Sequence, residues 1–241
     1  MIIKEVNASV DNREEFDEIF TQFISPEWNN KVDREAAREH TFNFLFIKHD
    51  TIVRKMLAAS TSTGELMGCM IFHYYTKIDC TLIAFVNVGH SFRYQNIASS
   101  LLTKSIELCE ELAETYSNKR IHSIFSICRR PSIVEKGLTD LLSFFSKRHF
   151  TLIRLETSIP RLYANTKEET VLVVRQYTHL NLLNIPKESV SSFVELYLVY
   201  EVPEPMEIVE DIYTNFENEI AKKDTIPVGA IKLETCLGDI K

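Results

Sequence analysis

The apolar residues of this chain fall into two repeating patterns, a period of two that marks half-buried strands and a period near 3.6 that marks helices packed on one face. Ile2–Val6 reads as a short strand. Asp11 then offers an N-cap with Glu14 three residues on, and Phe16, Ile19, Phe20 and Phe23 share one helical face that stops at Pro26. A second short helix is predicted over residues 34–40, followed by strand-like runs at 42–48 and 53–60. The turn at 61–65 leads into a strand over 66–75, and 81–88 is a nearly continuous apolar run suited to a central strand. Ile97, Ala98, Leu101, Leu102, Ile106, Cys109, Leu112, Ala113 and Tyr116 then form a helical stripe that must pack on a sheet.

The second half continues the alternation. An isoleucine-rich strand is predicted over 120–128, a helix over 138–148 carrying Leu141, Leu142, Phe144 and Phe145, and a terminal pair of strands at 150–157 and 170–177. More than 60 residues follow. Residues 193–200 read as a strand, and after Pro203 and Pro205 the positions Met206, Val209, Ile212, Phe216 and Ile220 make another helical stripe, so this stretch is folded rather than a linker. The span 201–220 holds seven acidic residues, among them Glu207, Glu210 and Asp211, and no Lys or Arg. It reads as a solvated helix face. Its sharper alternatives are an acidic lid that attracts a cationic substrate, or a homodimer contact.

With 241 residues and 45% hydrophobic content, the chain can bury a full core. No apolar run approaches the roughly 20 residues of a membrane span, and the first residues do not read as a secretory signal. A cytoplasmic protein with no membrane partner is expected. The five cysteines, Cys69, Cys80, Cys109, Cys128 and Cys236, are odd in number and widely spaced, which points to reduced core residues rather than disulfides. The seven histidines lack ligand spacing, so no metal is expected. A net charge of -7 and a pI near 5.6 disfavour nucleic acid and favour a cationic partner such as an amine.

The most specific signal lies at residues 86–102, where an apolar strand breaks into a polar loop and runs directly into a helix. Such a junction aims backbone N–H groups and the positive end of a helix dipole at one point, which suits a phosphate. Arg93, Asn96 and Ala98 occupy this junction in a spacing that resembles the pyrophosphate motif of the GCN5-related N-acetyltransferase (GNAT) superfamily. That motif reads Arg or Gln, two residues, Gly, one residue, Gly or Ala. Asn96 stands at the central glycine, and asparagine is the residue that most readily replaces glycine in a left-handed conformation. Residues 145–150, Phe-Ser-Lys-Arg-His-Phe, are similar to the superfamily's Tyr-Glu-Lys-x-Gly-Phe segment.

The resemblance implies a GNAT-like α/β fold: a mixed, mostly antiparallel sheet with splayed central parallel strands flanked by helices. It spans residues 1–178, with 179–241 as a C-terminal α/β extension packed on it. It also implies that the backbone of 85–88, including Val86 and Val88, bonds the pantetheine arm of acetyl-CoA. The loop amides of Arg93, Tyr94, Gln95, Asn96, Ile97, Ala98 and Ser99 would hold the pyrophosphate, with Ser99 and Ser100 adding hydroxyls, and 124–128 would line the far wall of the thioester slot. The implied chemistry is acetyl transfer to a primary amine of a small molecule or an exposed amino group, which needs a base and an acid. The superfamily's usual acid is the Tyr of the second segment, and Phe145 cannot donate a proton. Residues 81–88 hold no carboxylate. His90, just past the strand, is the first candidate for the catalytic role, since an imidazole changes charge near neutrality. His122, Ser126, Tyr74 and Tyr75 are further candidates, and water-relayed catalysis by positioning is a third route. The alternative is a catalytically silent module that binds a CoA ester or a protein partner.

Overall fold

The computed structural model describes residues 1–7, 13–27, 34–129, 136–160, 169–177, 184–202 and 205–231, so Asp11 and Cys236 lie outside the described residues. The chain divides into two compact units, Met1–Ile121 and His122–Lys241.

The first unit is built on an antiparallel meander of β1 (Ile2–Val6), β2 (Ile52–Ser60), β3 (Leu66–Tyr75) and β4 (Cys80–Val88). Its register runs Lys4 to Ala58, Ala58 to Cys69 and Cys69 to Asn87. Ile83 pairs with Phe72 and Phe85 with Ile71, so Ala84 is the extra residue of a bulge that bends β4. Three helices pack on this sheet: α1 (Arg13–Ile19), α2 (Arg34–Phe46) and α3 (Ile97–Ser117). α1 runs on through a π turn, Phe20–Ile24, and a 3-10 turn, Ser25–Glu27. Phe16, Ile19, Phe20 and Phe23 are all buried, as their helical spacing predicts. Along α3, Ile97, Leu101, Leu102, Ser105, Cys109 and Ala113 are buried, so the stripe lies slightly off the predicted one, with Tyr116 at the solvent edge. Asn118 closes the helix in the left-handed conformation, its N–H bonded to the carbonyls of Ala113 and Glu114.

Residues 42–46 are helical, which corrects the strand expected over 42–48. Phe42, Phe44 and Phe46 mimic strand alternation, but the buried face is Ala37, Thr41 and Leu45, at helical spacing. The Thr41 hydroxyl donates to the Ala37 carbonyl at 2.8 Å. The aromatic rings lie to either side under cations, with the Arg13 guanidinium 4.1 Å from the Phe42 centroid and Arg54 4.1 Å from Phe44. Arg13 and Arg38 also share Asp17 at 3.2 and 3.3 Å and pair with Glu39 and Glu35, tying α1 to α2.

The second unit contains β5 (Ser123–Arg129), α4 (Lys136–Ser146), β6 (Thr151–Ile153), β7 (Thr170–Gln176), β8 (Asn184–Pro186), α5 (Lys187–Tyr200), α6 (Met206–Ile220) and β9 (Thr225–Gly229). Its strands are antiparallel in the order β5, β7, β6, β9, β8. The strand expected at 193–200 is part of α5. Val190, Phe193, Val194, Tyr197 and Leu198 are buried at helical spacing while Val199 is half exposed, so tertiary packing overrides a β-rich composition. Phe193 stacks on Phe125 with centroids 4.1 Å apart, and the Tyr197 hydroxyl donates to the Pro160 carbonyl at 2.7 Å. The late strand β9 pairs with β6 through Leu152 and Ile153, so residues beyond 178 complete the sheet of this unit. Cys69, Cys80, Cys109 and Cys128 are buried and stand outside any disulfide.

Candidate active site

The end of β4 is fixed by the Gly89 N–H, which donates to the Met67 carbonyl at 2.9 Å. A β-carbon on Gly89 would stand 3.3 Å from the Phe92 ring, so a small residue fits there best. The chain then makes a 3-10 turn, His90–Phe92, closed by the Phe92 N–H to the Gly89 carbonyl at 2.8 Å. Arg93 is extended, and Tyr94 and Asn96 take positive φ values of 65° and 62°. Asn96 is the N-cap of α3, and its left-handed backbone is the conformation for which glycine is normally used.

The first α-helical bond of α3 runs from the Ser100 N–H to the Asn96 carbonyl at 3.0 Å. The amides of Ile97 and Ala98 therefore precede the intrahelical ladder, and the Asn96 side chain makes no capping bond. The first turn of this 21-residue helix carries no acidic residue of its own to offset the positive end of the dipole. Ile97 is buried and anchors the turn, whereas Arg93, Gln95, Asn96 and especially Tyr94, at 82% exposure, face solvent. Val86, Val88, Ala98 and Ser99 are half-buried. Two donors expected for a ligand are already engaged: the Ser100 hydroxyl donates to the Asn96 carbonyl at 3.2 Å, and the Arg93 N–H to His90 at 3.4 Å. Gln95 closes the loop through its side-chain amide on the Ser91 carbonyl at 3.2 Å. Backbone donors at the head of a helix, at the end of an apolar strand, are an arrangement that suits an anion.

His90 stands exposed at the mouth of this loop. Tyr74 and Tyr75 do not: both are fully buried and pair with Thr81 and Cys80 at the opposite end of β4, about 25 Å away at roughly 3.3 Å per residue. The Tyr74 hydroxyl donates to Asp79 at 2.7 Å, and burial, reinforced by that carboxylate, pushes its pKa up. In the second unit, Ser126 is buried on β5 and His122 precedes it, its carbonyl accepting the Tyr177 N–H at 3.0 Å. Phe145 is a core residue, with no exposure and its ring 4.7 Å from Phe150 and 5.2 Å from Phe144. His149 takes φ 65°, so both positions where the superfamily pattern has glycine and this chain does not are left-handed.

Sequence reasoning passed over Asn87, whose side chain donates to the Phe23 carbonyl at 3.0 Å. The signal was a lone amide within the apolar run 81–88. It also passed over a cavity of about 270 Å³ in the second unit, between Leu152, Ile153, Arg154, Leu172, Glu219 and Lys223. The Glu219 carboxylate there accepts the N–H groups of Glu156 and Thr157 at 2.8 and 2.9 Å. Among the described residues no cluster of His, Cys, Asp or Glu could hold a metal ion, and no helix is long and apolar enough to cross a membrane.

No protein-family profile matches this sequence, and no curated protein sequence does. Comparison of structures gives a definite result. A Bacteroides thetaiotaomicron protein assigned as a GNAT-family acetyltransferase superposes with a TM-score of 0.50 at 17% identity, over 84% of this chain and 99% of its own. GCN5 of Tetrahymena gives 0.50 at 11%, over 75% and 99%. A protein assigned as a phosphinothricin N-acetyltransferase gives 0.50 at 13%, over 74% and 100%. The chain has the GNAT fold, the mixed α/β architecture that its strand–loop–helix junction resembles. At these identities the likeness is one of fold.

Proposed function

We propose that this protein is an acetyl-CoA-dependent N-acyltransferase that acetylates a primary amine of a small molecule or an exposed amino group. The observation that carries the reading is left-handed Asn96 at the head of α3, with the amides of Ile97 and Ala98 ahead of the intrahelical ladder. The diphosphate of acetyl-CoA is held there, Arg93 adds charge from the loop, and the backbone of β4 from Phe85 to Val88 aligns the pantetheine arm. In the reaction the amine nitrogen forms a bond to the thioester carbonyl carbon, the carbon–sulfur bond breaks, and the thiolate takes up a proton. In this reading His90 accepts the amine proton. Phe145 supplies no acid, so water protonates the thiolate and alignment provides much of the rate. The exposed Glu207, Glu210 and Asp211 of α6 favour a cationic acceptor. Replacing all three with Gln should then raise KM for a diamine more than for a neutral monoamine.

The test is the thermal midpoint with and without acetyl-CoA. A ligand at about 100 times its Kd stabilises by roughly 2.7 kcal/mol, a shift of several degrees for a chain of this size. The shift should vanish in Asn96→Pro. His90→Gln should keep the shift and lose about 100-fold in thiol release from acetyl-CoA. A midpoint that acetyl-CoA leaves unmoved would remove the transferase reading. A shift without any thiol release would favour the second reading, a silent acyl-CoA-binding module, for which Phe145 in place of the usual acid is the supporting observation.

A further inference from the structure

We propose that the cavity of the second unit, between β6, β7 and the last turn of α6, is a binding site for a small zwitterion with a hydrocarbon body, an apolar α-amino acid. Its occupancy does not depend on acetyl transfer.

The cavity exists because two neighbouring strands part. The β6–β7 ladder stops at Leu152 and Val173. Next along, the Ile153 carbonyl accepts the Leu155 N–H at 3.1 Å, and the segment rejoins β7 only at Ser158 and Ile159, which bond to Thr170. Alternate residues of a strand aim their backbone groups at opposite neighbours. The Thr170 N–H donates to Ser158 on the β6 side at 2.9 Å, and the Tyr177 N–H donates to His122 on the β5 side at 3.0 Å. Leu172, in step with Thr170, therefore turns its N–H toward the gap, where the Ile153 carbonyl has taken another donor. Leu172 is 4% exposed, and a buried N–H in this position calls for an acceptor.

The side chains around the gap narrow the choice of ligand. Leu152, Ile153, Ile159 and Leu172 are buried and form an apolar floor. The polar wall carries two charges of each sign, Arg154 and Lys223 against Glu156 and Glu219. Glu219 is already engaged by the Glu156 and Thr157 N–H groups, with the Lys223 ammonium 4.0 Å from Oε1. Arg154 and Glu156 have no ion-pair partner among the described residues, and the Arg154 guanidinium lies over Gly229, within 3.1 Å of where a β-carbon would stand. A ligand of one sign would meet a like charge on this wall, whereas a zwitterion is complementary to both. Its carboxylate supplies the acceptor that the Leu172 N–H needs, and its hydrocarbon covers the floor. A volume of about 270 Å³ falls below the roughly 300 Å³ at which pockets for drug-sized ligands begin, so the ligand is small.

Calorimetric titration of the full chain, without acetyl-CoA, tests this with L-leucine and L-phenylalanine. At least one should bind at millimolar concentration or below and slow hydrogen exchange of the peptide covering residues 170–176. For leucine, 4-methylpentanoate lacks the ammonium and 3-methylbutylamine lacks the carboxylate. Each should bind about tenfold or more weakly than the parent. Arg154 is exposed, so Arg154→Gln should keep the unliganded thermal midpoint and weaken amino-acid binding by about tenfold or more. Failure of both amino acids to bind would overturn the site. So would binding that leaves exchange at 170–176 unchanged, binding that Arg154→Gln leaves intact, or a carboxylate or amine alone that binds as tightly as leucine.

Discussion

Asn96 shows how much one backbone angle decides. A left-handed residue with a β-carbon is strained by roughly 1–2 kcal/mol, less for asparagine, whose short polar side chain tolerates the region. Asn96→Ala should therefore lower the stability measured by urea unfolding by about 1 kcal/mol, whereas Asn96→Gly should lie within a few tenths of the native value. Glycine should also keep the acetyl-CoA thermal shift. If alanine proved harmless, φ at this position would not be the 62° described. This was legible in the sequence because the residue types that adopt positive φ are few. The Asn87–Phe23 bond was not, since no local pattern connects positions 64 residues apart. Nor was the burial of Phe145, which an alignment of motifs placed at a reactive position and which packing assigns to the core.

At the scale of elements, periodicity succeeded where a buried face is long and uniform, as along β2, β3, β4 and α3. It failed at 42–46, where alternating aromatic residues sit on a helix whose flanking rings Phe42 and Phe44 lie under cations, and at 193–200, where a β-rich composition is packed as a helix with Phe193 and Tyr197 buried. Strands β8 and β9 escaped notice because each is short, contains proline and gains its order from pairing with the other. The last turn of helix α6 is tied to the segment after β6 through Glu219, whose two carboxylate oxygens each take a backbone N–H. Glu219→Gln replaces one acceptor oxygen with an NH2 donor that faces a backbone N–H and should destabilise the second unit by about 1 kcal/mol. Hydrogen exchange should quicken at residues 154–159. Unchanged exchange there would mean that the helix is held by its apolar face alone.

For the molecule as a whole, the buried thiols set an alkaline limit. Burial pushes the Cys109 thiol up to about 12, and burial also raises Cys69 and Tyr74. A raised acid binds its proton more tightly folded than unfolded, so its contribution is complete below the ordinary thiol value near 9 and is lost as pH climbs from there toward 12. Urea midpoints should fall as pH climbs from about 9 toward about 12, and Cys109→Ala should flatten that fall. A midpoint that stays level would show that these thiols ionise without unfolding. The order of the strands has a different consequence, for synthesis. β6 receives its second neighbour, β9, only about 70 residues later in the chain. At roughly 5–20 residues per second on the ribosome, the edge at Leu152 and Ile153 stays open for on the order of ten seconds. A nascent chain stalled before Thr225 would present that edge to any passing strand, so the half-made protein is more exposed to aggregation than the finished one.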